Sequence, residues 1–135
     1  MFPKNTKILV VDDSAHIRRM VVDCLHQMGF RSYKEAEDAN EAFGLLKEAS
    51  DTPEPFTLIL SDLNMPGPSG LDFLKQVRSL ENFKHLPFLL VTTESEKASV
   101  IEAAMSGVSS YIVKPFDVGT LSKKMIEAWK KHNPE

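Results

Sequence analysis

The stretch that decides the fold is Phe56-Thr57-Leu58-Ile59-Leu60-Ser61-Asp62-Leu63-Asn64-Met65-Pro66-Gly67. A continuous apolar run of this length, entered from Pro55 and left through Pro66, Gly67 and Pro68, reads as a short strand buried on both faces. Such strands belong to parallel sheets covered by helices on each side. The run delivers Asp62 directly into the turn, so a carboxylate stands at the strand's carboxyl end.

Upstream, Ser50-Asp51-Thr52-Pro53-Glu54-Pro55 is a surface loop, because two prolines two apart neither continue a helix nor sit in a central strand. The helix before it starts at Asp38, with Glu41 in capping-box spacing, and turns Ala42, Leu45, Leu46 and Ala49 inward. Residues 30–36 form a weaker strand. Near the start, Lys7-Ile8-Leu9-Val10-Val11 is a strand that hands over to a helix through Asp12-Asp13-Ser14, where Asp13 or Ser14 serves as cap. That helix repeats Ile17, Met20, Val21, Cys24, Leu25 and Met28 at three- and four-residue spacing and stops at Gly29. Cys24 is the chain's one cysteine, cannot form an internal disulfide, and is expected as a core thiol.

Downstream, residues 70–80 make a third helix with Leu71, Leu74 and Val77 on one side, and residues 86–91 a fourth strand that ends in Thr92-Thr93. Residues 95–106 make a fourth helix, closed by Gly107, whose expected buried side is Val100, Ile101, Ala104 and Met105. Residues 108–113 are strand five, ending Lys114-Pro115. Asp117 caps the last helix, in which Val118, Leu121, Met125, Ala128 and Trp129 face inward while Lys123, Lys124, Lys130 and Lys131 stay in water. Alternating strands and helices predict an α/β fold: a doubly wound, flavodoxin-like parallel sheet of five strands in the order 2-1-3-4-5, with five helices.

The 135 residues are expected as one domain spanning 1–135, long enough to bury roughly 65–70% of the unfolded surface, with no output domain attached. A net charge of −3 makes no case for sequence-blind binding to nucleic acid. Met1-Phe2-Pro3-Lys4-Asn5 lacks an apolar signal core, and no run approaches the roughly 20 apolar residues of a membrane span. A cytoplasmic monomer without membrane or nucleic-acid partners is expected.

In the order 2-1-3-4-5 the carboxyl ends of strands one, three, four and five are consecutive, and ligands bind outside that edge. Asp12 and Asp13, Asp62, Thr92 and Lys114 therefore converge, with Asp62 central. Three carboxylates in one crevice repel: two unit charges about 4 Å apart at an effective dielectric near 20 cost on the order of 4 kcal/mol. Lys114 offsets part of this. An oxygen-only acidic pocket suits Mg²⁺, which takes one or two carboxylates and keeps water and a phosphate oxygen; no His-Cys cluster argues for zinc. A carboxylate so supported acts as a nucleophile toward phosphorus, giving an aspartyl phosphate, with Lys114 and Thr92 on the other phosphoryl oxygens.

With those residues placed, the chain resembles a response-regulator receiver domain, and within that family the CheY-like single-domain chemotaxis regulators. The marks are Val10-Val11-Asp12-Asp13-Ser14, Asp62-Leu63-Asn64-Met65-Pro66, Val91-Thr92 and Tyr111-Ile112-Val113-Lys114-Pro115-Phe116, spread over residues 7–131. The resemblance implies that Asp62 takes phosphate from a histidine kinase's phosphohistidine. It implies that Asp13, Asp62 and the backbone carbonyl of Asn64 ligate Mg²⁺, with Asp12 helping through water. It likens Thr92 to the hydroxyl that moves onto the phosphoryl group, Tyr111 to the aromatic that rotates in behind it, and Lys114-Pro115 to a cis peptide. The face formed by helix four, strand five and helix five, around Lys97, Val100 and Tyr111, becomes the expected output surface. A flagellar motor switch protein is the leading target and another phosphotransfer protein the second.

Three features bear on that transfer. Thr93 stands where the family usually has alanine or glycine, and its bulk is expected to slow phosphodonor entry or alter the Thr92 switch. Asn64 and Glu94 match the family's chemotaxis pattern at positions that tune dephosphorylation, so a short-lived phosphoryl group is expected. The loop 51–55 is longer than in the compact chemotaxis regulators. Three rival readings remain: a phosphorelay intermediate, a phosphorylation-independent docking module, and a small phosphatase. The phosphatase reading is weakened by Asn64, which cannot transfer a proton where such enzymes carry a second acid. No enzyme activity beyond self-phosphorylation and self-dephosphorylation is expected.

Overall fold

The structure, a computed structural model, describes residues 1–93 and 97–134. Strands and helices alternate as β1 (Lys7–Val11), α1 (Ala15–Gln27), β2 (Ser32–Ala36), α2 (Ala39–Ser50), β3 (Leu58–Asp62), α3 (Gly70–Ser79), β4 (Phe88–Thr92), α4 (Lys97–Met105), β5 (Ser110–Val113) and α5 (Val118–His132). The sheet is parallel throughout and runs β2-β1-β3-β4-β5, so both the fold class and the strand order agree with the sequence reading.

Parallel strands at the centre of such a sheet have no wet face, and β3 and β4 are buried at every position. Their side chains alternate between two cores, as the period of a strand requires. Leu9, Val11, Ile59, Phe88 and Leu90 point into a layer with α2 and α3, built around Leu46, Phe73, Leu74 and Val77. Ile8, Val10, Leu58, Leu60, Leu89 and Val91 point to the other side, against Val22 and Leu25 of α1 and Leu121, Met125 and Ala128 of α5. Two helical layers thus clamp the strands, and their loops hang from a rigid edge. No described helix is long and apolar enough to cross a membrane.

The helix starts follow from their caps. The Ser14 hydroxyl accepts the Ile17 N–H at 3.2 Å, and Asp117 accepts the Thr120 N–H at 2.8 Å. Asp38 accepts from Glu41 N–H as its spacing implied, but Glu41 Oε1 reaches back to the N–H of Glu37, one residue before the cap. A complete capping box sits instead on α3, between Ser69 and Asp72. Gly29 closes α1 at φ 93°, a conformation that costs an L side chain strain and glycine little.

Helix α4 departs from expectation. Its fully buried residue is Ala103, while Ile101 is 65% exposed, Met105 85% exposed, and Ala104 also faces out. From Val100 to Met105 the helix is apolar at every position but Glu102, so periodicity singles out no face, and the small Ala103 is what lets the helix approach the core. Cys24 is half-buried at the edge of the α1 core, not within it. Trp129 is likewise half-buried, with its ring edge-on to Phe2 at 5.1 Å between centroids. Arg78 of α3 clasps the turns behind the sheet, donating from Nε to the Gly107 carbonyl at 2.9 Å and from Nη1 to that of Leu86 at 2.7 Å.

Candidate functional site

Asp62 is the last residue of β3, and its register partner on β4 is Val91. The chain continues straight for one more residue, where the Leu63 N–H donates to the Val91 carbonyl at 3.0 Å. It then turns so sharply that the N–H of Gly70, opening α3, donates to the Leu63 carbonyl at 2.7 Å. A Cβ at position 70 would lie 2.0 Å from the Asp62 carbonyl oxygen, so the close approach of α3 to the end of β3 requires glycine there.

On the neighbouring strand, Asp12 and Asp13 follow β1, and oxygens of Asp12, Asp13 and Asp62 all lie within 4.8 Å of one another. Asp12 and Asp62 are buried and Asp13 is exposed, which leaves the cluster open on one side. From β5, Lys114 reaches across the sheet edge to place Nζ 3.0 Å from Asp62 Oδ1 and 3.4 Å from Asp12 Oδ2. Its backbone N–H donates to the Thr92 carbonyl at 2.7 Å, tying the ends of β4 and β5 together, and the Lys114–Pro115 peptide is cis. Thr92 is fully buried, and its hydroxyl donates to the Thr93 carbonyl at 3.4 Å.

Burial pushes the Asp62 carboxyl above the usual carboxylate range; the charge of Asp12 adds to this, and the Lys114 ammonium opposes it without prevailing. Burial acts to lower Lys114, yet its hydrogen bond to Asp62 and the charges of Asp62 and Asp12 outweigh that and hold the ammonium above its ordinary value. Among the described residues Lys114 is the cation paired with these carboxylates, one charge against three acids. The donor set is oxygen-only, hard and anionic, which fits a small divalent cation such as Mg²⁺ and not a thiolate- or imidazole-seeking metal.

The family model of the response regulator receiver domain matches residues 8–126. The chain belongs to that family. The receiver is 43% identical over 122 residues to chemotaxis protein CheY-3 of Vibrio cholerae serotype O1, covering 90% of each chain. It is 39% identical over 127 residues to chemotaxis protein CheY of Pseudomonas aeruginosa, covering 94% of this chain and 98% of the relative. The solved structure of chemotaxis response regulator CheY4 of Vibrio cholerae superposes with a TM-score of 0.80 at 35% identity, over 92% of this chain and 98% of that one. A receiver domain from Clostridium thermocellum, at 23% identity and a TM-score of 0.83, shares the fold. The chain is thus a CheY-like receiver, a signalling protein by family, and receivers generally bind Mg²⁺ at an acidic pocket.

The other residues singled out from sequence fall at different distances from the pocket. Asn64 is exposed in the loop just past Asp62. Tyr111 faces outward from β5, 39% exposed, and Val100 is half-buried on α4. Glu94 and the side chain of Lys97 lie outside the described residues. Two residues that the sequence reading passed over bear directly on the site: Gly70, through the close approach above, and Arg18, whose guanidinium donates to the Asp12 carbonyl at 2.6 Å. The Gly70 signal was present, a glycine shortly after the acid at a helix start, but Arg18 sits in an ordinary basic pair on α1 and carries no motif.

Size does not select the site. Grooves of about 540 Å³ beside Phe2, Pro55 and Trp129 and of about 710 Å³ beside Phe43 and Phe83 hold no acid cluster, the first lying at the amino ends of the strands. An apolar groove of about 360 Å³ does adjoin the pocket, lined by His16, Ile17, Met20, Thr93, Lys114 and Phe116.

Proposed function

We propose that this receiver is a phosphoacceptor switch of a two-component system, in which Asp62 takes a phosphoryl group from the phosphohistidine of a histidine kinase. The observation that carries the reading is the placement of a buried carboxylate, Asp62, with Lys114 Nζ at 3.0 Å and further carboxylate oxygens within 4.8 Å. In the transfer, an Asp62 oxygen forms a bond to phosphorus as the phosphorus–nitrogen bond of the donor breaks, and the departing imidazole keeps the electron pair and is protonated from water. Lys114 meets charge that develops on the phosphoryl oxygens, and Thr92, one residue beyond Asp62's register partner, supplies a hydroxyl to another. Asp12, Asp13, Asp62 and the carbonyl of Asn64 would hold Mg²⁺, which when bound neutralises the acids and draws charge from the transferring group. The apolar groove bounded by Ile17, Met20 and Phe116 gives the donor's own apolar side chains a seat beside Lys114.

The phosphorylated state differs from the free one by contacts to Thr92 and Lys114, and that difference alone shifts the population. Output follows as a docking event on the face of α4, β5 and α5, around Lys97, Val100 and Tyr111. By analogy with the chemotaxis relatives the target is a flagellar motor switch protein, the setting is cytoplasmic, and the switch acts as a single domain. Intact-mass spectrometry after incubation with acetyl phosphate tests the chemistry. A gain of one phosphate that needs both Mg²⁺ and Asp62, and is absent in Asp62→Asn, is expected. Failure to gain it, from acetyl phosphate and from a histidine-kinase donor alike, leaves a receiver fold used as a fixed docking module.

A further inference from the structure

We propose that Arg18 is a positioning residue for the acidic pocket: its guanidinium fixes the Asp12 peptide so that Asp12 and Asp13 stay turned toward Asp62, and it thereby sets the pocket's affinity for Mg²⁺. The inference rests on the reading of the pocket as a Mg²⁺ site and goes one layer behind it.

Arg18 lies in the first turn of α1 with its side chain only 12% exposed. Nη1 donates to the Asp12 carbonyl at 2.6 Å, and Nε donates to Glu35 Oε1 of β2 at 3.0 Å. The rest of Asp12 is held as firmly. Its N–H donates to the Ala36 carbonyl at 3.1 Å, Oδ1 accepts the Ser14 N–H at 2.9 Å, and Oδ2 faces Lys114 at 3.4 Å. Each polar group of this residue therefore has a partner, and the carbonyl's partner is a cation clamped by a carboxylate on the adjacent strand.

The clamp matters because the pocket is under electrostatic pressure. Three acids facing one lysine gain by moving apart, and rotation of the peptide that joins Asp12 to Asp13 is the backbone motion that would separate them. Rotation would swing the Asp12 carbonyl off Arg18, so the short charge-assisted bond opposes it. A planar guanidinium suits the task, since one fork reaches the carbonyl and Glu35 in fixed directions, which a single ammonium cannot do. Helix α1 does not need this contact to stay docked: Val21, Val22 and Leu25 bury its apolar face. The role is thus separable from folding.

The test is isothermal titration of the full chain with MgCl₂, with no phosphodonor, on wild type, R18Q, R18K and E35Q, alongside thermal unfolding in Mg²⁺-free buffer. Removing a hydrogen-bond partner of a metal-pocket residue is expected to weaken Mg²⁺ binding about 10-fold or more in R18Q. R18K, which keeps the charge but not the fork that joins the carbonyl to Glu35, is expected to recover only part of the affinity, and E35Q to show a smaller loss than R18Q. Equal Mg²⁺ affinity in R18Q and wild type overturns the inference and leaves the pocket reading intact. Equal losses in R18Q and R18K that track lowered unfolding temperatures make Arg18 merely structural, and overturn it too. Should R18Q not fold, unchanged Mg²⁺ affinity in E35Q decides against it. A wild type that binds no Mg²⁺ removes the pocket reading itself, and this inference with it.

Discussion

Lys124 holds its ammonium 5.1 Å from the centroid of the Tyr111 ring, over the face of an aromatic that points out of β5. The lysine is itself steered: Nζ lies 3.4 Å from Glu127 Oε2, and Glu127 accepts a hydrogen bond from Ser110 Oγ at 3.0 Å. Cation–π attraction near a surface contributes about 0.5–1 kcal/mol, and here it favours the outward ring. Lys124→Met keeps the apolar stem and removes the charge. The variant should raise the inward population of Tyr111 about two- to fivefold without phosphorylation. Fluorotyrosine ¹⁹F NMR reads this directly, with Tyr33→Phe assigning the chain's second tyrosine. An unchanged Tyr111 resonance shows that Lys124 does not hold the ring outward.

Asp62 should cost the resting protein stability. Its carboxyl is pushed up by burial first and by Asp12 next, so the folded protein binds that proton more tightly than the unfolded chain does. The corresponding stability is present at low pH, below the ordinary carboxylate value of about 3.9, and is lost as pH rises through the raised folded value. At neutral pH the ionised side chain is a net burden. Asp62→Asn should therefore unfold several degrees higher than wild type in Mg²⁺-free buffer at neutral pH, and added Mg²⁺ should raise the wild-type midpoint more than the variant's. A variant that melts earlier than wild type contradicts this.

His132 should work in the opposite direction at the far end of the sheet. Its Nε2 lies 2.6 Å from Ser109 Oγ, which also accepts the Phe88 N–H at 3.0 Å. Burial, and then the charges of Arg78, His85 and Lys131, lower the imidazole's proton affinity in the folded state. The unfolded chain therefore binds that proton more tightly. Stability is full above the ordinary histidine value of about 6.5 and declines as pH falls below it toward the depressed folded value. Thermal midpoints taken between about pH 7 and pH 5 should fall less steeply in His132→Gln than in wild type. Parallel slopes would show that His132 does not contribute.

Gly70→Ala should be among the most damaging single-methyl changes in the chain. The new Cβ meets the Asp62 backbone oxygen at 2.0 Å and the Leu63 Cα at 2.9 Å, and neither is the movable end of a side chain. A loss of about 3 kcal/mol is expected in chemical denaturation. Phosphate uptake from acetyl phosphate should fall even under conditions where the variant is folded, because the shift acts on the backbone of Asp62 itself. Gly44→Ala, where a Cβ meets nothing within 4 Å, is the matched control and should be neutral or mildly stabilising.

The parts legible in the sequence are those written as a one-dimensional pattern. Leu58-Ile59-Leu60 announces a two-face-buried strand, Ser14 and Asp117 announce helix starts, and the strand order then gathers Asp12, Asp13, Asp62, Thr92 and Lys114 without any knowledge of contacts. The side of α4 was misread because Ile101, Ala104 and Met105 offer the same hydrophobicity as Ala103, and shape, not polarity, chose between them. Arg18 was invisible for a different reason. A guanidinium bonded to a backbone carbonyl depends on where a peptide plane points, and any residue has a carbonyl.

Helix α4 rests on the domain through Ala103, with its larger apolar side chains, Ile101 and Met105, hung in water. A helix held by so little buried surface can slide or tilt without opening a cavity, whereas moving α1 or α5 would tear leucines and methionines from the core. Mechanical compliance is therefore unevenly distributed: the layer of α1 and α5 against the strands is stiff, and α4 is the soft joint. A small event at the acid cluster can be spent on displacing that joint, so sequence changes along α4 should adjust how readily the molecule responds far more than how tightly it is folded.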